Sequence, residues 1–156
     1  MLHTGQCHCG KVKASFETQK TPAALGVRAC QCAFCRRHGA RNISDPDGET
    51  VIDAAPEDLI RYRFALRTSD FLICRHCGVY IAAVMGEGDK IVSTLNVAGA
   101  RMEDFLALDD APMEYGAETT EQRIERRYQK WTPTRFTDTQ LAAAIFGPHY
   151  TNLRGL

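Results

Sequence analysis

Seven cysteines in three short-spaced groups constrain this chain more than any other feature of its sequence. The groups are Cys7-x-Cys9, Cys30-x-Cys32-x-x-Cys35 and Cys74-x-x-Cys77. Cysteines at this spacing place two soft sulfur ligands on one turn of the backbone, as thiolate metal sites require. An odd number of cysteines leaves one thiol unpaired in any disulfide scheme, and the N-terminal residues lack the apolar core of a signal peptide. The spacing therefore predicts metal sites rather than disulfides or incidental free thiols.

The number and the flanking residues of the cysteines indicate zinc, divided into one set of four ligands and one set of three. An iron–sulfur cluster, the minor alternative, normally takes four cysteines for itself. A glycine follows the last cysteine of the first and third groups, whereas an arginine follows that of the second. Glycine allows a turn with positive φ that points amide hydrogens back at the sulfurs. We therefore predict a closed structural zinc site from the first and third groups: Cys7, Cys9, Cys74 and Cys77.

The second group supplies three ligands and leaves the fourth position of a zinc ion vacant, which is typical of catalytic zinc. We expect chemistry at this site, formed by Cys30, Cys32 and Cys35. In the alternative interpretation His38, three residues further on, closes the site and makes it structural. His8 and His76 lie between cysteines of the closed set and are interpreted as exposed spacers.

A basic pair, Arg36 and Arg37, directly follows the second cysteine group. Such a pair is ordinarily a solvated surface feature. Beside an open metal site it becomes a candidate for binding a substrate carboxylate, because a guanidinium matches a carboxylate in a fork geometry. Both residues are therefore candidate contacts to a carboxylate of the substrate.

The hydrophobic pattern predicts a mainly β, mostly antiparallel fold. Apolar and polar residues alternate over 11–17, the period of a strand with one wet face. The same period recurs, with Gly, Pro or Asp between the runs, at 25–29, 60–64, 79–85 and 91–97.

Two helices are predicted in the C-terminal part of the chain. Thr137 and Gln140 have the spacing of a capping box before the apolar run 141–146, and Gly147 with Pro148 ends this short C-terminal helix. Thr119 and Gln122 have the same relation at the start of 119–128. The Arg-Glu-Arg-Arg composition of that second segment predicts that it has little to bury.

Length and charge narrow the class of protein further. A chain of 156 residues without a clear linker or internal repeat predicts a single domain over 1–156. Nineteen basic residues balance nineteen acidic ones, so no global field attracts nucleic acid or anionic lipid, and no run of about 20 apolar residues is present. We therefore expect a cytoplasmic protein that binds neither nucleic acid nor membrane.

Three segments of the sequence resemble the glutathione-dependent formaldehyde-activating enzyme family, which also includes centromere protein V. They cover about a hundred residues in order and fill all seven metal positions: GQCHCGKV at 5–12, CQCAFCRR at 30–37 and FLICRHCGVY at 71–80. The resemblance implies a zinc-stapled antiparallel β-tent fold, with the same division of the cysteines into a structural and an active-site zinc.

The resemblance also implies an activity. Members of this family condense glutathione with formaldehyde to S-hydroxymethylglutathione, a reaction classed in reverse as carbon–sulfur lyase activity. A small thiol and an aldehyde are then the partners, glutathione is the co-substrate and two zinc ions are the cofactors. The segments 41–58 and 99–136 offer no motif that identifies further substrate contacts.

Three functional hypotheses follow from the sequence. The first is the thiol–aldehyde enzyme, acting on glutathione or on another small thiol. The second is a non-catalytic adaptor with two structural zinc ions, although the balanced charge disfavours its nucleic-acid form. The third is a zinc-transfer protein or sensor that uses the open site to pass the metal on.

Overall fold

The computed structural model describes residues 1–87 and 89–147, and within them the chain forms eleven strands and six α-helices. The strands are Leu2–Gln6 (β1), Lys13–Glu17 (β2), Val27–Cys30 (β3), Asn42–Ile43 (β4), Glu49–Asp53 (β5), Leu59–Tyr62 (β6), Asp70–Cys74 (β7), Tyr80–Glu87 (β8), Lys90–Asn96 (β9), Asp110–Met113 (β10) and Thr132–Phe136 (β11). The helices are Pro22–Leu25 (α1), Ala33–Arg37 (α2), Val97–Ala100 (α3), Glu103–Leu106 (α4), Thr120–Lys130 (α5) and Thr139–Phe146 (α6).

The described strands are linked by pairing into one mixed sheet. Its main path runs β1-β2-β5-β11-β9-β4-β3-β10, and a branch of β8, β7 and β6 leaves it at β9. Most neighbours are antiparallel, whereas β10 pairs with β3 and β11 pairs with β5 in parallel. The prediction of a mainly β fold is therefore confirmed, with two parallel pairings that local alternation does not reveal.

The five predicted strand segments coincide with β2, β3, β6, β8 and β9. In β2, Ala14 and Phe16 are buried between exposed Lys13 and Glu17, as the alternation predicts. In β8, by contrast, the run from Tyr80 to Met85 is buried without alternation. The strand lies between β7 and β9, and its two faces contribute to different hydrophobic clusters.

Three clusters of buried side chains organise the interior. The largest contains Phe16, Ile52, Leu72, Leu95 and Phe136 and packs the main body of the sheet. A smaller cluster joins Met85 and Val92 of the sheet to Trp131, with Ile124 and Tyr128 of α5 packed on it. The third cluster is built around Cys35, Ala40 and Tyr80. It brings the second cysteine group against the sheet.

Both predicted C-terminal helices are present, but only one of them begins with the predicted cap. The capping box of Thr119 and Gln122 is formed at α5, which continues to Lys130. For α6 the capping prediction is wrong. The N-cap is Asp138, whose carboxylate accepts from the amides of Gln140 and Leu141, because a carboxylate competes well for the free amides of a first turn.

Thr137, the cap predicted for α6, donates to Asp53 instead. Pro148, predicted to follow the helix, lies outside the described residues. Among residues 1–87 and 89–147, no helix has the length and apolar character needed to cross a membrane.

Candidate functional site

The first and third cysteine groups meet in one cluster, although 65 residues separate Cys9 from Cys74. The ligand atoms of all four cysteines lie within 4.8 Å of one another. The Sγ atoms of Cys7 and Cys9 are 3.7 Å apart, and those of Cys9 and Cys74 are 3.6 Å apart. Four sulfurs around one zinc at 2.3 Å stand about 3.8 Å from each other in a tetrahedron. The cluster therefore fits a metal ion of that kind.

The two halves of this cluster are matching turns. The amide of Cys7 donates to the carbonyl of Val12, and that of Cys74 donates to Val79, both at 2.9 Å. The glycine of each turn has a positive φ, 81° at Gly10 and 75° at Gly78. The predicted role of the glycines in turning the backbone is therefore confirmed.

The pKa values of the cysteines in the four-cysteine cluster favour binding of a cation. Burial raises the pKa of Cys74 to about 12. Burial alone would also raise the pKa of Cys77, but amide hydrogen bonds from Cys9 and Val79, together with the Cys74 and Cys7 thiols, lower it to about 6. A thiolate at Cys77 thus forms next to the Cys74 thiol, whose charging is opposed by burial. A bound cation removes that opposition, because metal ligation drives thiols to thiolates.

The second group forms a separate cluster whose ligand atoms also lie within 4.8 Å of one another. Cys30 ends β3, Cys32 caps the N-terminus of α2, and Cys35 lies one turn further along that helix. The amide of Cys35 donates to the Cys32 sulfur at 3.4 Å. Hydrogen bonds from the Cys30 and Cys35 thiols lower the pKa of Cys32, whereas hydrogen bonds with Cys30 and Cys32 raise that of Cys35. The three sulfurs are close enough together to offer three ligands to one metal ion.

His38 does not join this cluster, and within the described residues no fourth Cys, His, Asp or Glu does so. The His38 side chain is exposed at the end of α2, where its ring lies 4.4 Å from that of Phe34. The interpretation in which His38 closes the site is therefore not supported. His8 and His76 are exposed, as predicted for spacers, and His76 contacts Asp58 at 2.7 Å.

A cavity of about 180 Å³ adjoins the three-cysteine cluster. All three cysteines of this cluster line the cavity, whereas none of the four in the other cluster does. Its apolar wall is formed by Phe64, Phe71, Tyr80 and Trp131. The two cysteine clusters therefore differ in whether this cavity adjoins them as well as in the number of ligands.

Tyr80 is the buried hydroxyl-bearing residue beside the cysteines. It is 2% exposed and packs against Cys35 in the third cluster. Burial raises the pKa of Tyr80 well above its ordinary value, the charges of the three cysteines raise it further, and that of Arg127 opposes them. The phenol is therefore protonated and lies within electrostatic reach of both the cysteines and Arg127.

Four arginines line the cavity, three of them from α5. Arg126 forms a two-pronged ion pair with Glu118 at 2.7 and 3.0 Å, and Arg123 approaches the same carboxylate at 3.5 Å. Arg127 is only 8% exposed and lies over the Trp131 ring. The expectation that the 119–128 segment has little to bury is wrong, because Ile124, Arg127 and Tyr128 pack against Trp131 and the sheet.

Arg36 and Arg37, the arginines singled out from the sequence, are exposed on α2 and do not line the cavity. Arg37 donates instead to the carbonyl of Ala33 at 2.9 Å. Their role as carboxylate contacts stays a prediction. The cavity arginines were missed because a capping box and a basic helix do not reveal which part of the sheet the helix covers.

Comparison with known proteins agrees with this arrangement. The family model described as glutathione-dependent formaldehyde-activating enzyme matches residues 2–107, which hold all seven cysteines and end before β10 and α5. A crystal structure of a Rhodobacter sphaeroides protein is 29% identical to this chain, covers 70% of it and 99% of its own length, and superimposes with a TM-score of 0.52. The chain belongs to the glutathione-dependent formaldehyde-activating enzyme family.

Proposed function

We propose that this protein is a zinc-dependent enzyme that forms or cleaves the carbon–sulfur bond of a thiol adduct of formaldehyde, with S-hydroxymethylglutathione as the first candidate. The observation that carries the proposal is that the three-cysteine cluster lines a cavity and the four-cysteine cluster does not. An open set of three ligands beside an enclosed space is the arrangement of a catalytic metal site, whereas a closed set of four is structural.

Zinc is the metal that the donor sets favour. Sulfur-only sites select soft or borderline ions and disfavour magnesium, calcium and manganese, which prefer oxygen. We expect two zinc ions per chain, a structural one held by Cys7, Cys9, Cys74 and Cys77 and an active-site one held by Cys30, Cys32 and Cys35. At the second site zinc would supply a Lewis-acidic position that lowers the pKa of a thiol bound there.

The reaction can be written with its atoms and electrons balanced. The sulfur of the thiol bonds to the carbon of formaldehyde, and the π electron pair of the carbonyl moves to its oxygen. The proton lost by the thiol ends on that oxygen, so that the product is a hydroxymethyl thioether; cleavage is the reverse. The protein must hold the two reactants together, exclude competing water and supply a proton near the carbonyl oxygen.

The residues that line the cavity suit these tasks. The aromatic wall of Phe64, Phe71 and Trp131 limits access of water to the reacting groups. Tyr80 holds its proton beside the cysteines and can donate a hydrogen bond to the oxygen that gains charge. We therefore assign Tyr80, rather than the exposed His38, as the donor to this oxygen.

Tyr80→Phe is expected to lower the rate of adduct formation by about 100-fold, the lower end of what a positioned proton donor contributes. Zinc content and melting temperature should stay close to those of the wild type, because the ring and its packing remain. His38→Ala is the matched comparison at the exposed ring. If it lowers the rate as much as Tyr80→Phe does, the donor is wrongly assigned.

Exchange spectroscopy tests the proposed function directly. Carbon-13 formaldehyde and glutathione form the adduct reversibly, and two-dimensional NMR measures the exchange between free and bound carbon with and without the protein. The zinc-loaded protein is expected to accelerate this exchange. Removal of zinc by a chelator should abolish the acceleration and restored zinc should recover it, with the number of ions per chain measured by native mass spectrometry.

Two results would contradict the proposal. Exchange at the uncatalysed rate with every thiol tested, in protein that holds two zinc ions, would favour a non-catalytic adaptor. Rapid loss of the second zinc to an acceptor protein, without acceleration of exchange, would favour a zinc-transfer protein.

A further inference from the structure

Two of the four arginines that line the cavity, Arg28 and Arg127, lack the acidic partner that Arg123 and Arg126 have in Glu118. Arg127 is 8% exposed, and its Nη1 donates to the hydroxyls of Thr68 at 2.7 Å and Ser69 at 3.3 Å. Its Nε atom is buried without a hydrogen-bond partner. Arg28 donates to the Ser44 hydroxyl at 2.6 Å. No carboxylate of residues 1–87 and 89–147 lies within ion-pair distance of either group.

The acidic residues near the cavity do not compensate these two charges. Glu118 is already bonded to Arg126 and Arg123. Glu114 lines the cavity from an exposed position and makes no ion pair with Arg28 or Arg127 within the described structure. Burial lowers the pKa of Arg127 to about 10, so this side chain remains charged near neutral pH. A buried charge without a partner is costly, and an anionic ligand would remove that cost.

The two arginines reach the cavity of the three cysteines from different elements of the fold, β3 and α5. Arg28 and Cys30 are two residues apart on β3, so their side chains leave the same face of the strand about 7 Å apart. Arg127 reaches the cavity from α5 and lines it together with Tyr80 and the three cysteines. An acidic group between the arginines would therefore lie a few bonds away from a sulfur at the cysteine cluster.

We propose that Arg28 and Arg127 form a carboxylate-binding subsite that selects thiols carrying an acid group a short distance from the sulfur. The inference rests on the proposed function and names its substrate class. The cavity of about 180 Å³ is below the range of about 300–1,000 Å³ that encloses drug-sized ligands, so it accommodates a small thiol acid or one end of a peptide thiol. A small thiol acid and a peptide thiol would both present a carboxylate to the two arginines.

The two arginines of the subsite come from two different parts of the chain. Arg28 lies within the segment 2–107 that matches the family, whereas Arg127 lies beyond it. The thiol preference would then depend on the segment that contains α5, which is not part of the family match. Family membership alone consequently does not determine which thiol this protein selects.

Titration calorimetry on the zinc-loaded full chain tests the subsite with thiols that differ in one group. The probes are 3-mercaptopropionate, neutral 2-mercaptoethanol and cationic cysteamine, with glutathione as the peptide thiol. Charge-assisted hydrogen bonds of this kind change affinity by about 10- to 100-fold. We expect 3-mercaptopropionate to bind more tightly than 2-mercaptoethanol by that factor and cysteamine to bind most weakly. If only glutathione shows arginine-dependent binding, the subsite holds the carboxylate of a peptide thiol.

Substitutions then assign the preference to residues. Arg28→Gln and Arg127→Gln should each reduce the affinity for 3-mercaptopropionate to that for 2-mercaptoethanol, while the affinity for 2-mercaptoethanol stays unchanged. The matched control is Arg61→Gln, an exposed arginine that does not line the cavity. If Arg127→Gln fails to fold because its packing on Trp131 is lost, Arg28→Gln and the charge-retaining Arg127→Lys decide the question.

Several outcomes would overturn the inference. Equal affinities for 3-mercaptopropionate and 2-mercaptoethanol, together with glutathione binding that does not depend on the arginines, would do so, and so would failure of the zinc-loaded protein to bind any of the four. Loss of the preference in Arg36→Gln or Arg37→Gln, with Arg28→Gln unaffected, would place the acid group on α2. The calorimetry does not depend on turnover. If exchange is not catalysed but the arginine-dependent preference is observed, the proposed function fails and the subsite stands.

Discussion

Cys77→Ser is expected to leave the protein unfolded or insoluble. A serine hydroxyl is a poor zinc ligand at neutral pH, so the four-ligand set becomes a set of three. Structural zinc sites contribute apparent binding energies of about 10–16 kcal/mol to folding. A typical domain has a free energy of unfolding of only about 5–15 kcal/mol. Because the cluster joins segments 65 residues apart, weakening it also releases a long loop. Circular dichroism and zinc analysis of the purified variant measure the result.

His76→Ala is the control for this substitution. His76 lies next to Cys77 in the same turn, and its ring contacts Asp58 rather than the cluster. The variant should fold and hold two zinc ions. A soluble Cys77→Ser protein with the melting temperature of the wild type would mean that the metal at this cluster is not structural.

Cys35→Ser is expected to fold and yet lose activity by at least about 100-fold, since small displacements of reacting groups already cost that much. Cys30, Cys32 and Cys35 lie within six consecutive residues, so the cluster that they form closes no long loop. We expect a loss of about 1–2 kcal/mol in stability, which lowers the melting temperature by about 2–8 °C in a chain of this length. Activity falls because two thiolates hold zinc weakly and in the wrong position. Zinc analysis, thermal denaturation and formaldehyde exchange measure the three effects.

The comparison between the two cysteine variants distinguishes the roles of the clusters, since the chemical change is the same in both. If Cys35→Ser denatures at as low a temperature as Cys77→Ser, the second metal is structural too and the adaptor hypothesis gains. A folded Cys35→Ser protein that has lost one zinc and exchanges formaldehyde like the wild type would refute the role of the open site.

The two glycine-containing cysteine turns were predictable because they depend on local geometry. The spacing of Cys74 and Cys77 and the glycine that follows them are contained in five consecutive residues. The positive φ of Gly78, like that of Gly10, is a property of such a short turn. The alternation in β2 is equally local. These features do not depend on distant parts of the chain, so the sequence alone was sufficient for them.

The cavity could not be predicted in the same way. Its arginines come from β3 and α5, about a hundred residues apart, and they meet because α5 packs on the sheet through Trp131. A lone basic helix such as α5 looks solvated in isolation. The parallel pairing of β10 with β3 is likewise invisible in the periodicity, although it places 110–113 beside the strand that carries Cys30.

The separation of the two halves of the four-cysteine cluster has a consequence for biosynthesis. Cys74 is made 65 residues after Cys9. At translation rates of about 5–20 residues per second, the first two cysteines wait roughly 3–13 s for their partners. During this interval Cys7 and Cys9 are thiols on a nascent chain, open to oxidation or to capture of metal by a pair alone. The redox state and zinc supply around the nascent chain therefore act on this site before the fold is complete.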